Sequence, residues 1–200
     1  MILNKTLAVL ISITTLVSCR NKSPDTLNNN CLLSAEFYDL KHEKIRFKDL
    51  QGSQASVFLI LSPDCPLCRN YIPLIRRLTH EYSINEFRFF GVFPGKLYSK
   101  EEITGFVAEY KLDSCFTGIL DKDFILTRCL GASVTPEVFV SDKRGNLLYS
   151  GRIDDQVSEP GQKTIPAVHS DLEDALARVK SGKSILISRT EAVGCFIEKK

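Results

Sequence analysis

An apolar run, Val57-Phe58-Leu59-Ile60-Leu61, stops just short of Cys65-Pro66-Leu67-Cys68. The run reads as a buried strand. Past the cysteines, Leu67, Tyr71, Leu74, Ile75, Leu78 and Tyr82 form a one-sided stripe at helical period. The chain must therefore pass from a core strand, through a cysteine pair, into a helix. A helix start offers unpaired N–H groups and partial positive charge, and both favour thiolate over thiol. The i, i+3 spacing sets the second sulfur one turn along, close enough to close an intramolecular disulfide. Cys65, nearest the terminus, is expected to be the exposed nucleophile, and Cys68 the more buried resolving thiol. Two packing cysteines or a static disulfide are the plainer alternative.

The same two periods organise the rest of the chain. Glu36–Leu40 and Lys44–Phe47 read as short strands ahead of a turn at Gln51-Gly52. Pro73 lies inside the helix that starts at Cys65 and predicts a kink there. Phe87–Phe93 is the next strand. Ser99-x-x-Glu102 is a capping box, and Ile103, Phe106, Val107 and Tyr110 are the buried stripe of the helix it starts. Phe116–Leu120 is a strand, and Phe124–Leu130 a short helix ended by Gly131. Val134-Thr135-Pro136 leads into the strand Glu137–Val140; Asp142-Lys143-Arg144-Gly145 then turns the chain back through Asn146–Ser150. A loop fills 151–169. Ser170-x-x-Glu173 is a second capping box, and Leu172, Ala175, Leu176 and Val179 line a last helix that stops at Gly182. Residues 183–200 are an extension with a short apolar run at Ile185–Ile187. This order predicts one α/β domain: a central mixed sheet, helices on both faces, an N-terminal hairpin and an antiparallel closing hairpin.

Charge is nearly balanced, with 26 Lys+Arg against 24 Asp+Glu and no block of one sign, so nucleic acid is not an expected partner. At the N-terminus, Lys5 precedes an apolar run from Leu7 to Val17 that has signal-peptide length. It ends Leu16-Val17-Ser18-Cys19, which resembles a bacterial lipobox whose Cys19 is lipidated after cleavage. Residues 1–18 are thus expected to be a lipoprotein signal peptide and 19–30 a polar tether. Arg20 stands where an inner-membrane retention Asp would be expected, which favours the outer membrane. A simple signal peptide with an incidental Cys is the alternative.

Export leaves Cys31, Cys65, Cys68, Cys115, Cys129 and Cys195, an even set in an oxidising compartment. A structural zinc site generally takes four ligands, and only one CxxC and three His are present, so no metal is expected. Haem attachment needs His directly after the second Cys, and Arg69 stands there. No cofactor is expected. Cys115 and Cys129 flank one strand as possible neighbours or buried small hydrophobes. Cys195 can pair with Cys31 or relay electrons to Cys65-Cys68; a structural or unpaired role is the expectation. Arg152 reads as a solvated charge, with an anion or peroxide contact as its alternative.

These residues resemble the thioredoxin-like redoxins, both the TlpA-type thiol–disulfide oxidoreductases and the AhpC/TSA peroxiredoxin-like proteins. The resemblance covers roughly residues 31–182. Cys65-Pro66-Leu67-Cys68 follows a core strand as the active-site pair does. Pro73 has the spacing of the helix-kinking proline, and Thr135-Pro136 looks like the Thr–cis-Pro that faces the disulfide. The stretches DCPLC, GASVTPEVFVSDKRGNLLYSGRIDD and AVGCFI are similar to a subgroup of exported bacterial redoxins in which a Cys recurs in the C-terminal extension, where Cys195 stands. Thioredoxins carry Trp before the first Cys. Asp64 stands there instead, and its carboxylate opposes thiolate formation unless it points away.

The resemblance implies a membrane-tethered thiol–disulfide oxidoreductase acting through Cys65 and Cys68. Thr135 and Pro136 would pair with an extended substrate. Protein thiols and disulfides of the periplasm and a membrane thiol donor are the implied partners. A thiol peroxidase with Cys65 as the peroxidatic cysteine is the alternative: Ser62 matches the peroxiredoxin motif, but Phe58 stands in place of its Pro. A redox-inert binding module on a lipid anchor is a third reading.

Overall fold

The computed structural model describes residues 29–51, 54–84, 86–157 and 166–198. Cys19, the leader and Gly52 of the Gln51-Gly52 turn lie outside the described residues.

The chain enters as a short helix, α1 (Asn29–Ser34), beginning inside the stretch read as a tether. The hairpin β1 (Glu36–Asp39) and β2 (Lys44–Arg46) follows, closed by a 3₁₀ turn at Phe47–Leu50. Then come β3 (Ala55–Ile60), α2 (Pro66–Ser83), β4 (Phe87–Pro94), α3 (Lys100–Glu109), β5 (Thr117–Asp121) and α4 (Ile125–Leu130). The two-residue β6 (Val134–Thr135) precedes β7 (Glu137–Ser141), β8 (Leu147–Gly151), α5 (Asp171–Lys180) and a second two-residue strand, β9 (Cys195–Phe196).

Among the described residues, seven strands make one mixed sheet in the order β2-β1-β5-β4-β3-β7-β8. β3, β4 and β5 are parallel, while β1 and β7 run against them. Alternate residues of the inner strands feed two cores. Val57 and Leu59 of β3 join Phe89 and Phe93 of β4 and Val138 and Val140 of β7 on one face, under α2, α3 and α5. Phe58 and Ile60 join Phe90, Val92 and Phe139 on the other, with α1 and α4. Period 2 on a sheet covered on both sides yields the unbroken apolar runs seen in the sequence.

Local signals mostly act as their chemistry requires. At the start of α3, the Glu102 N–H donates to Ser99 Oγ (3.2 Å) and the Ser99 N–H to Glu102 Oε2 (2.7 Å). The second capping box does not form: Ser170 makes no side-chain cap, and Glu173 instead takes a two-armed bond from Arg77 of α2 at 2.8 and 2.6 Å. An available guanidinium outcompetes a backbone N–H for that carboxylate. Pro73 sits within α2, as its position predicts. Arg152 is no solvated charge. Its Nε donates to Asp171 Oδ2 at 2.7 Å, joining the end of β8 to the start of α5.

The extension is the part the pattern of the sequence left blank. Its apolar run makes no strand, and Leu186 and Ile187 are exposed. It returns along β8, where the Ser150 N–H donates to the Ser188 carbonyl and the Thr190 N–H to the Ser150 carbonyl, both at 3.0 Å. Gly151 (φ 136°) permits this, because a Cβ there would collide with Thr190. From there the chain crosses to pair β9 with β6.

Candidate active site

Cys65 is the N-cap residue of α2, in extended backbone (φ −74°, ψ 113°), and Pro66 opens the helix where its missing N–H is not needed. The Cys65 N–H donates to the Ser62 carbonyl at 3.2 Å, and the Ser62 N–H faces Cys68 Sγ at 3.5 Å. Tight turn and helix start together hold both sulfurs at the C-terminal end of β3. Cys68 is fully buried, as expected. Cys65 is not exposed: only 2% of it reaches solvent. The C-terminal extension covers it, which no local pattern around Cys65 could indicate.

Opposite Cys65 stands the β6–β7 junction, where the Thr135-Pro136 peptide is cis. When protonated, Cys65 Sγ donates to the Thr135 carbonyl at 3.0 Å. Glu137 shapes this corner, its Oε2 accepting the N–H groups of Ser133 (2.8 Å) and Val134 (3.3 Å), and burial pushes its carboxyl up. Thr135 and Pro136 are thus brought to the cysteine pair by the fold.

Cys195 is there too. Thr135 pairs with Cys195 and Val134 with Phe196 in the β6–β9 ladder, and the Ile197 N–H donates to the Ser133 carbonyl at 3.1 Å. Cys195 Sγ lies 2.7 Å from Cys65 Sγ. A Cys195–Cys31 pairing is therefore corrected, while Cys195 is unpaired, a free thiol beside Cys65. Cys31 is disulfide-bonded to Cys129 (Cα–Cα 5.5 Å), and Cys115 is a free, half-buried thiol. The trace of this in the sequence is Gly194. A Cβ there would collide with the Thr135 carbonyl, so only glycine lets the tail lie this close.

The three sulfurs share one charge. The Cys65 thiol is lowered to about 4, chiefly by the hydrogen bond from the Cys68 thiol. Burial opposes this; Cys195, the Cys68 backbone N–H and Thr135 reinforce it. Burial, then the neighbouring Cys65, pushes Cys68 well above the ordinary thiol range. The same two causes raise Cys195 to about 11. At neutral pH Cys65 is thus the thiolate, with a protonated sulfur on each side. Asp64 does not oppose it, being 76% exposed with Arg69 Nη2 at 3.9 Å. Such a sulfur is a prepared nucleophile and also a good leaving group.

A cleft of about 670 Å³ opens beside the sulfurs, lined by Phe93, Leu97, Tyr98, Phe124 and Phe196 as well as Cys65 and Cys195. Lys96, Lys122 and Arg128 stand on its wall. Arg152, the candidate anion or peroxide contact, does not line it. Among the described residues no group of His, Cys, Asp and Glu is arranged to hold a metal ion, and no helix is long and apolar enough to cross a membrane.

A cysteine pair at a helix start, set against a cis-proline loop on a mixed sheet with helices on both faces, defines a thioredoxin-like redoxin. The AhpC/TSA family model matches residues 26–150, and the chain belongs to that family. Solved structures share the fold. An uncharacterized conserved protein from Geobacillus kaustophilus has a TM-score of 0.74 at 20% identity, over 82% of this chain and 88% of its own. A hypothetical protein from Sinorhizobium meliloti has 0.72 at 19%, over 83% and 91%. A secreted Mycobacterium tuberculosis disulfide oxidoreductase, homologous to E. coli DsbE, has 0.54 at 17%, over 76% and 98%. No curated protein sequence matches the chain.

Proposed function

We propose that the protein is a thiol–disulfide oxidoreductase that exchanges disulfides with exported proteins through Cys65 and Cys68. The observation that carries this is the Cys65 sulfur, its thiol lowered to about 4 at the start of α2 and lying 3.0 Å from the carbonyl of the cis Thr135-Pro136 peptide. Cys65 attacks a target disulfide; Cys68, behind it, closes on Cys65 and releases the target. A lipid on Cys19 would tether the domain to the outer membrane on its periplasmic side, with a membrane thiol as electron source. The leader pattern and Arg20 support that placement.

The test compares the full-length protein with Cys65→Ser and Cys68→Ser, on insulin disulfides with dithiothreitol as reductant and, separately, on hydrogen peroxide. Loss of the nucleophile is expected to lower insulin turnover by at least about a hundredfold. Cys68→Ser is expected to lower it as well. Unchanged turnover in both variants overturns the assignment. Peroxide turnover lost in Cys65→Ser, with none on insulin in the parent, would make the protein a thiol peroxidase instead.

A further inference from the structure

The cysteine pair is nearly buried beside a third, exposed sulfur. Cys65 is 2% exposed, whereas Cys195, in contact with it at 2.7 Å, lies on the surface. The segment carrying Cys195 is not draped over the site at random. It is hydrogen-bonded to Ser133, Val134 and Thr135 as an added antiparallel strand, and Gly194 is pressed against the Thr135 carbonyl. An added strand bearing a cysteine opposite Cys65 is the arrangement in which a disulfide-bearing peptide would bind such a loop. Here the chain supplies that peptide itself. Cys195 is exposed to a macromolecular partner with nothing moved, whereas Cys65 shows only 2% of itself, at the cleft beside β9.

We propose that Cys195 is a third catalytic cysteine, which takes the disulfide from Cys65-Cys68 on one side and exchanges it with the external dithiol or disulfide on the other. This rests on the oxidoreductase reading above and moves the exchange with the partner from Cys65 to Cys195, with Cys65 and Cys68 behind it.

In the oxidising direction, the Cys195 thiolate attacks Cys65 Sγ of the Cys65–Cys68 disulfide. The Cys65–Cys195 bond forms and the Cys65–Cys68 bond breaks. The electron pair leaves on Cys68, which takes up a proton. A partner thiolate then attacks Cys195 Sγ, and the pair leaves on Cys65. The second partner thiol closes on the first and releases Cys195. The partner dithiol has lost two electrons and two protons to the three cysteines. Run backwards, the same steps reduce a partner disulfide, and no other oxidant or reductant is needed.

Contact sets the first step, since Cys195 Sγ touches Cys65 Sγ and Cys68 is buried, and the electrostatics suit the second. Cys65, lowered to about 4, is the best leaving group of the three, so attack on a Cys65–Cys195 bond is directed to the exposed Cys195. In the reduced protein burial and the Cys65 charge hold Cys195 protonated. Once Cys65 enters a disulfide that charge is gone, and Cys195 is freer to ionise.

The experiment uses full-length protein with Cys195→Ser, Gly194→Ala, Cys68→Ala and, for reference, Cys115→Ser. Cys68→Ala, oxidised with glutathione disulfide and digested without reduction, is expected to yield a Cys65–Cys195 peptide pair by mass spectrometry. Cys195→Ser is expected to keep the Cys65–Cys68 disulfide yet exchange with insulin at least about tenfold more slowly. Gly194→Ala keeps the sulfur but displaces the strand and should match it, while Cys115→Ser should match the parent. No Cys65–Cys195 pair in Cys68→Ala, or insulin turnover in Cys195→Ser at or above the parent rate, overturns the relay; the faster rate would make the tail a mere cover. Cys65→Ser separates the two claims. Inactive Cys65→Ser with fully active Cys195→Ser removes only the relay. Fully active Cys65→Ser removes the oxidoreductase reading itself.

Discussion

Removing the Cys31–Cys129 disulfide is expected to cost stability on a scale set by the loop it closes. The bond ties α1 to α4 across a sequence separation of 98. Closing such a loop in the unfolded chain removes about 16 cal/mol/K, or roughly 4.7 kcal/mol at 25 °C. The unfolded chain is more compact than a random coil, so about 3 to 5 kcal/mol is the working range. At about 2 to 4 °C per kcal/mol for a domain of this size, Tm should fall by roughly 6 to 20 °C. The variant is Cys31→Ala with Cys129→Ala, which leaves no lone buried thiol. Melting of both proteins is followed by circular dichroism without reductant. Exchange with insulin at 25 °C should be unchanged, because this disulfide lies with the α1–α4 core and Cys65 and Cys68 with the core under α2. A fall in Tm of less than about 3 °C would refute the reasoning, since it is far below any loop-closure value for this separation.

Two further outcomes follow from the buried polar groups. In the reduced protein the Cys65 thiolate, followed by absorbance near 240 nm, should persist from alkaline pH down to about 4. The fold lowers this thiol from an unfolded value of about 8.5, so its contribution to stability is complete above about pH 8.5 and is lost as pH falls through 4. A titration midpoint near 8 would contradict the three-sulfur arrangement. Asp121, 3% exposed, accepts the Leu126 N–H (3.1 Å), the Thr127 N–H (2.7 Å) and the Thr127 hydroxyl (2.6 Å) at the start of α4. Asp121→Ala strands those donors and should cost roughly 2 to 4 kcal/mol in a urea titration; a loss under about 0.5 kcal/mol would show the bonds to be dispensable.

Legibility varied with the range of the interaction concerned. The strand–cysteine–helix junction, the Ser99 cap and the closing hairpin were readable because each depends on residues a few places apart, whose period or turn chemistry is local. The Ser170 box misled because Glu173 found Arg77 across the fold. Burial of Cys65 could not be read for the same reason, its cover coming from the far end of the chain. β6 and β9, two residues each, are too short to carry any periodic signal.

The class of domain, the order of its longer elements and the identity of the cysteine pair are legible in the sequence alone. Hydrophobic period and capping chemistry are properties of a short stretch and survive without the rest of the molecule. Which cysteines meet was decided only by the tertiary structure. The six cysteines that follow Cys19 admit fifteen full pairings, and spacing does not choose among them. The choice came from the sheet. Its two faces put Cys31 beside Cys129 on one side, and the tail, admitted by Gly151 and Gly194, brought Cys195 to Cys65 on the other. Contacts of that range are set by where whole elements pack, which no window of residues contains.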